Sequence, residues 1–342
     1  MATHKTYRLD LALQGGGSHG AFTWGVLDAL LENGAYEFDG VSGTSAGAMN
    51  AVVLAAGFAE ADTEGMNEAE AHRARCELAR TKLHDFWFEV GKIGTLLAAS
   101  PATFAAQMMP WLKPMLSPAQ SNPFDINPLR RILNQLVDFE LIASLKDAKW
   151  LPQLFICATS VRTGKGVIFT NENVSSQAVM ASACLPMLYQ SVEIDGEQYW
   201  DGGYAGNPAL YPLIYNTPAN DILLVQINPV AIETMPKTLD EIQDRANQIT
   251  FNAGLLSELR AIRFVTRLLE EEKLDVKRYR KIFLHQIDGG AFLETHGSDS
   301  KVKSDWLFLQ ALFEQGREAG KKWMKTNTKH LGVKNTMPKL LG

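Results

Sequence analysis

A chain of 342 residues, 46% apolar and 21% charged, can bury a large core and has the composition of an ordinary soluble protein. Its net charge of −5 excludes nucleic acid as the main partner, because a phosphate backbone demands a basic surface. The same charge gives no global attraction to anionic membranes, so any peripheral membrane or lipid-droplet contact must come from a local patch.

Cys76, Cys157 and Cys184 are too few and too scattered for a disulfide framework or a zinc site. Cys157 and Cys184 lie in apolar stretches and read as buried, inert thiols. The start, MATHKTYRLDLALQ, lacks an apolar core of signal-peptide length. No uncharged apolar run reaches the ~18 residues of a membrane span. The expectation is a soluble, cytoplasmic protein. No acidic loop has cation-ligand spacing, so neither a metal nor another cofactor is expected.

In chain order, Leu9, Leu11 and Leu13 alternate as in a strand entering a sheet. GGGSHG (residues 15–20) follows and satisfies the G-x-G-x-x-G spacing of a dinucleotide-binding turn. Ala21–Leu31 then has helical apolar spacing, and Asn33-Gly34 stops it. A second strand near Phe38–Val41 runs directly into GTSAGAMNAVVLAA. Two strand–glycine turn–helix units in succession predict a parallel α/β sheet.

Residues 60–90 read as a polar helix ending in Phe86, Trp87 and Phe88. Residues 93–128 are rich in Met and Ala and carry six prolines, which predicts short helices and loops. Strands are expected at 153–161, 166–170, 221–227 and 281–287, with a hairpin at Asp195-Gly196. Amphipathic helices are expected near 240–275 and 304–325. Without repeats or a clear linker, a single domain is expected. It has a core over about 7–230, a Pro/Met-rich insertion over about 93–128 and a C-terminal helical extension over about 240–342.

GTSAG (43–47) matches G-x-S-x-G, which lifts a serine hydroxyl out of a sheet on a sharp strand-to-helix turn. Gly43 and Gly47 relieve crowding around Ser45, and the helix behind it favours developing negative charge. Serine needs a base beside it. Among seven histidines, only His285 and His296 lie late enough for a Ser-Asp-His order, and neither has a motif around it. Asp201, in YWDGGYAGNP, ends a predicted strand, with Gly202 and Gly203 turning the chain away. Alone, an Asp-Gly pair reads as a plain turn.

Together, the glycine loop after the first strand, G-x-S-x-G after the second and D-G-G after a late strand resemble the patatin-like phospholipase family. ASACLP (181–186) also resembles that family's small-residue block, and SDWLFLQALFEQGREAGKKWM its bacterial tails. The resemblance covers Leu9 to at least Asn228. It implies a three-layer α/β fold with a central, mostly parallel sheet flanked by helices. It also implies a serine hydrolase of lipid esters, of phospholipase A, lysophospholipase or esterase type. Ser45 is then the nucleophile, Asp201 the sole base, and the N–H groups around Gly15, Gly16, Gly17 and Ser18 the oxyanion hole. Where many relatives carry Arg or Lys late in the glycine loop, this chain has His19, expected to order the loop or to contact an anionic head group.

Competing readings keep Ser45 but use His285 or His296 as base, or make GGGSHG a dinucleotide site with Asp39 on the ribose. A non-catalytic lipid or protein binder is a further reading, disfavoured because it needs neither nucleophile nor base. Met108, Met109 and Trp111 in the 93–118 stretch could form a lid or lipid-facing surface.

Overall fold

The computed structural model describes residues 6–98, 127–294, 298–301 and 303–338. Among these, eight strands form one sheet: β1 (Tyr7–Leu13), β2 (Tyr36–Gly43), β3 (Gln153–Ser160), β4 (Gly166–Phe169), β5 (Val192–Ile194), β6 (Glu197–Asp201), β7 (Asp221–Gln226) and β8 (Phe283–Asp288). The order is β5-β6-β3-β2-β1-β7-β8, with β4 also paired to β3. Five strands, β3, β2, β1, β7 and β8, run parallel. The β4, β5 and β6 pairings are antiparallel. The expected mostly parallel α/β sheet is the observed one.

Period-two alternation sorts the strand residues onto two faces. Leu9, Leu11 and Leu13 of β1, with Leu223 and Val225 of β7, enter one core. There they join α1 (Gly20–Asn33), α2 (Ala46–Glu60) and α3 (Glu68–Ala98). Two short helices follow, α4 (Pro128–Leu136) and α5 (Phe139–Ser144), and then α6 (Ser176–Ser182). Ala12 and the intervening Ile222 and Leu224 enter a second core with α7 (Tyr211–Asn216) and the long α8 (Leu239–Glu270). Helices therefore cover both faces of the sheet, the three-layer arrangement.

Local signals set the element ends. Gly34 adopts φ 68° and its N–H donates to Leu30 O, closing α1 as Asn33-Gly34 predicts. Helix α3 starts later than expected, at Glu68, and continues beyond Phe86–Phe88 to Ala98. Pro128 occupies the first turn of α4 and Asn127 caps it by accepting from Leu129 N. Residues 99–126, including Met108, Met109 and Trp111, lie outside the described residues, so the lid reading falls there.

After the short α9 (Gly290–Glu294) comes α10 (Trp306–Asn327), which crosses α1 closely. A Cβ at Gly25 would sit 2.0 Å from Phe313 O, and one at Gly316 2.0 Å from Phe22 O. Arg317 of α10 also pairs with Asp28 and Glu32 of α1. Gly316→Ala should therefore destabilise the protein by about 1–3 kcal/mol through overpacking, read as a lower urea midpoint. An unchanged midpoint would show that the crossing can open without cost.

Among the described residues, no helix is long and apolar enough to cross a membrane. All three cysteines are buried, and none is in a disulfide among the described residues. Burial pushes the Cys76 and Cys157 thiols up to about 12, as expected for inert thiols.

Candidate active site

Strand β2 ends at Gly43, and the chain turns through Thr44 and Ser45 into α2. Ser45 holds φ 55° and ψ −121°, a strained conformation for a residue with a Cβ. The glycines around it are sterically required. A Cβ at Gly43 would lie 2.5 Å from Gly47 O, and one at Gly47 would lie 2.1 Å from Leu13 O. Between residues 41 and 59, Ser45 is the sole position that is not buried. The turn thus presents one hydroxyl at the carboxyl ends of the parallel strands, where open α/β sheets bind ligands.

Asp201 ends β6 and is 1% exposed. Its Oδ1 accepts the Gly203 N–H at 2.7 Å. Burial pushes its carboxyl from 3.8 up to about 7, while the Gly203 N–H and a side-chain hydrogen bond with Ser45 pull it back in part. Gly202 lets the chain pass against β3, since its Cβ would lie 2.0 Å from Cys157 O. At Gly203 a Cβ would be 3.0 Å from Asp201 Oδ1 and 3.2 Å from the Phe251 ring.

The small-residue block 181–186 bridges these two residues. Ser182 Oγ accepts the Ser45 N–H at 2.9 Å and donates to Cys157 O at 2.6 Å. Cys184 O accepts the Asp201 N–H at 2.7 Å. Nothing in the sequence pattern of the block sets Ser182 apart, because its role depends on tertiary contacts with Ser45 and Cys157.

The glycine loop lies beside Ser45, because a Cβ on Gly15 would sit 2.7 Å from Ser45 Cβ. Gly15 is clamped rather than open. Its N–H donates to Asn207 Oδ1 at 2.6 Å, and its carbonyl accepts from Asn228 Nδ2 at 2.5 Å. Gly15 N–H is therefore occupied, contrary to its expected place among the oxyanion donors. Among the described residues, no protein acceptor is bonded to the N–H groups of Gly16, Gly17 or Ser18. Gly17 adopts φ 59°, a geometry suited to glycine. Successive unbonded N–H groups in a turn are the kind of donors that bind anions.

His19 is 1% exposed, and its Nε2 lies 2.7 Å from Ser300 Oγ. That contact ties the glycine loop to the 298–301 turn. Lys301 braces the same loop: its Nζ donates to Asn228 Oδ1 at 2.6 Å, and its carbonyl approaches Gly17. Burial lowers the Lys301 ammonium from 10.5 to about 8. Neither Lys301 nor Asn228 stands in a sequence motif, and Asn207 follows the D-G-G turn in YWDGGYAGNP with no local signal of its role.

His285 and Asp39, named in the competing readings, both have structural partners. His285 is fully buried in β8, with Nε2 2.8 Å from Asp221 Oδ1 and Nδ1 2.7 Å from Thr336 Oγ1. Both ring nitrogens are engaged by structural partners. His296 lies outside the described residues. Asp39, the candidate ribose ligand, is held by Arg8 at 2.7 Å. Among the described residues, no His/Cys/Asp/Glu cluster could hold a metal ion.

Solved structures similar to this chain include VipD from Legionella pneumophila, at 15% identity and TM-score 0.41, covering 93% of this chain and 67% of that one. The ExoU–SpcU complex of the Pseudomonas aeruginosa type III secretion system matches at 19% identity and TM-score 0.30. That match covers 75% of this chain and 52% of the other. This chain thus spans about two thirds of VipD and about half of the ExoU–SpcU chain that it matches. No curated protein sequence matches significantly. The family model described as patatin-like phospholipase matches residues 11–214, more than half of the chain and the whole stretch from the glycine loop through Ser45 to Asp201. The protein therefore belongs to the patatin-like phospholipase family, hydrolases that act on lipid esters.

Proposed function

We propose that the protein cleaves carboxylic ester bonds of lipids through Ser45 and Asp201 alone, with no histidine. The observation that carries this reading is a strained, accessible Ser45 beside a buried Asp201, whose carboxyl is raised to about 7 by burial and pulled back in part by its interactions with Gly203 and Ser45. A base tuned near neutral pH combines the right protonation state with driving force for proton transfer. In the first step, Asp201 takes the Ser45 proton as Oγ attacks the ester carbonyl. The resulting oxyanion is held by Gly16, Gly17 and Ser18 N–H groups, and Asp201 then returns the proton to the departing alkoxide. In the second step, Asp201 deprotonates water, which attacks the acyl-serine; collapse returns the proton to Ser45 and frees the fatty acid. Each loop donor is worth about 2.7–4 kcal/mol of transition-state stabilisation.

A panel of soluble esters and phospholipids, assayed with wild type and Ser45→Ala, tests the reading. Hydrolysis of at least one lipid ester should vanish in Ser45→Ala. Wild-type rates in that variant would overturn it.

Lys301 acts on the reaction through the loop. Its ammonium secures Asn228, which secures Gly15. Lys301→Met should lower kcat with little change in KM, by less than the roughly 10²–10³-fold lost with a direct oxyanion donor. A change in KM alone would move Lys301 from loop positioning to substrate binding.

A further inference from the structure

A cavity of about 860 Å³ opens beyond the carboxyl ends of β7 and β8, walled on its far side by α8. Its size falls in the range of ordinary ligand sites. It lies next to the glycine loop without including Ser45 or Asp201. Helix α8 buries Leu255, Leu259 and Ile262 against the sheet. Arg260, Arg263 and Arg267 project into the cavity instead, and their spacing of three and four residues puts them on one stripe. Leu256 and Phe264 belong to the same stripe, and Leu293 faces them from α9. Phe264 is 53% exposed, a large apolar ring left beside guanidinium groups.

The charges in this cavity do not cancel. Among the described residues that line it, Asp288 is the sole carboxylate, and its Oδ1 already accepts the Gly290 N–H at 3.1 Å. Arg263 donates to the carbonyl of Pro338 at 2.7 Å, which leaves its charge uncompensated. Arg267 meets Glu271 only at 3.8 Å, with both side chains largely exposed. Among the described residues, Arg260 has no ion pair. Three guanidinium groups against one carboxylate, in a chain of net charge −5, form the local basic patch that overall charge does not provide. Guanidinium forks match phosphate oxygens in pairs, while the leucine and phenylalanine wall matches hydrocarbon. A ligand that satisfies both walls is a phosphate-bearing amphiphile.

One wall of the cavity is also part of the catalytic scaffold. Ile227 and Asn228 line it. Asn228 Nδ2 grips Gly15 O, and Ile227 Cδ1 lies 3.0 Å from the point where a Gly16 Cβ would be. Gln14 Oε1 fixes this turn by accepting both the Ile227 and the Asn228 N–H, at 2.8 and 2.7 Å. The turn that lines the cavity is therefore the one that holds the glycine loop.

We propose that this cavity is a second lipid site, in which Arg260, Arg263 and Arg267 hold the phosphate of an anionic phospholipid and Leu256, Phe264 and Leu293 hold its glycerol and proximal acyl carbons, with occupancy transmitted to the glycine loop through Asn228. The site is separate from the Ser45–Asp201 pair and does not depend on that pair being catalytic.

Vesicle co-sedimentation in the Ser45→Ala background tests binding without turnover. Vesicles of phosphatidylcholine doped with phosphatidate should retain the protein, and pure phosphatidylcholine vesicles should not. The Arg260→Gln/Arg263→Gln double variant should bind about tenfold more weakly, with Arg260→Gln alone intermediate. Arg260→Gln leaves the Arg263–Pro338 bond in place, so a folding defect confined to the double variant does not decide the result. Short-chain phosphatidate should displace the protein from vesicles far better than inorganic phosphate. It should also stimulate hydrolysis of a soluble ester by the protein with Ser45 intact, and not by the double variant, whose basal rate should be unchanged. Equal retention on both vesicle types, undiminished binding by the Arg260→Gln single and double variants, or equal displacement by inorganic phosphate would each overturn the lipid assignment. Unchanged soluble-ester rates on adding phosphatidate would overturn the coupling to the loop.

Discussion

Asp201→Asn should slow ester hydrolysis by about 10²–10⁴-fold, the range that a general base contributes, while the protein remains folded. The substitution is nearly isosteric, and the Asn oxygen can still accept the Gly203 N–H that now reaches Asp201 Oδ1 at 2.7 Å. What disappears is the capacity to take a proton from Ser45. His285 cannot substitute, since both of its ring nitrogens are bonded, one to Asp221 of β7 and the other to Thr336 in the C-terminal segment. Steady-state kinetics on the best ester of the panel gives the answer, with the deficit expected in kcat. A loss smaller than tenfold would mean that another group removes the serine proton.

The pH profile of the wild-type enzyme should carry the second large effect. Asp201 must be ionised to act as base, and burial has raised its pKa from 3.8 to about 7. Below that value kcat/KM should fall about tenfold per pH unit, and above it should level off. A plateau extending down to pH 5 would contradict a buried carboxylate base. The same shift has an opposite consequence for stability. Between pH 3.8 and about 7 the folded state holds a proton that the unfolded state has released. Stability linked to this group is therefore fully present below the unfolded pKa and declines as pH rises through the folded one. Asp201→Asn should consequently stabilise the protein at pH 8 by an amount on the order of a few kcal/mol, with little effect at pH 4. An inactive variant that melts higher at alkaline pH would display strain retained at a functional position.

The parts of this molecule written in local chemistry were legible in the sequence. Leu9, Leu11 and Leu13 alternate because one face of β1 fills a core, and Asp195-Gly196 marks the β5–β6 hairpin that ends at Asp201. GTSAG is readable because Gly43 and Gly47 are sterically required within a few residues of Ser45. The strand order was not readable. Nothing local to β1 says that its neighbours will be β2 and β7, and that crossover brings Asn207 and Asn228 onto Gly15. For the same reason Gly15 was expected to donate to an oxyanion, whereas Asn207 takes its N–H. His19 could be recognised as a departure, but its partner Ser300 comes from the far end of the chain. Lys301 had no motif because its role depends on burial against Asn228, which is a tertiary property. The Arg260–Arg263–Arg267 stripe sat in a helix expected merely to be amphipathic, and only the fold turns that stripe toward a cavity.

The central claim, a serine activated by one buried carboxylate, is tested most directly by covalent labelling. A fluorophosphonate probe should modify Ser45 alone, identified by peptide mass spectrometry. The labelling rate should fall below pH 7 in step with Asp201 protonation and drop by about 10²–10⁴-fold in Asp201→Asn. Modification of a different residue, or an Asp201→Asn variant labelled at the wild-type rate, would contradict the account.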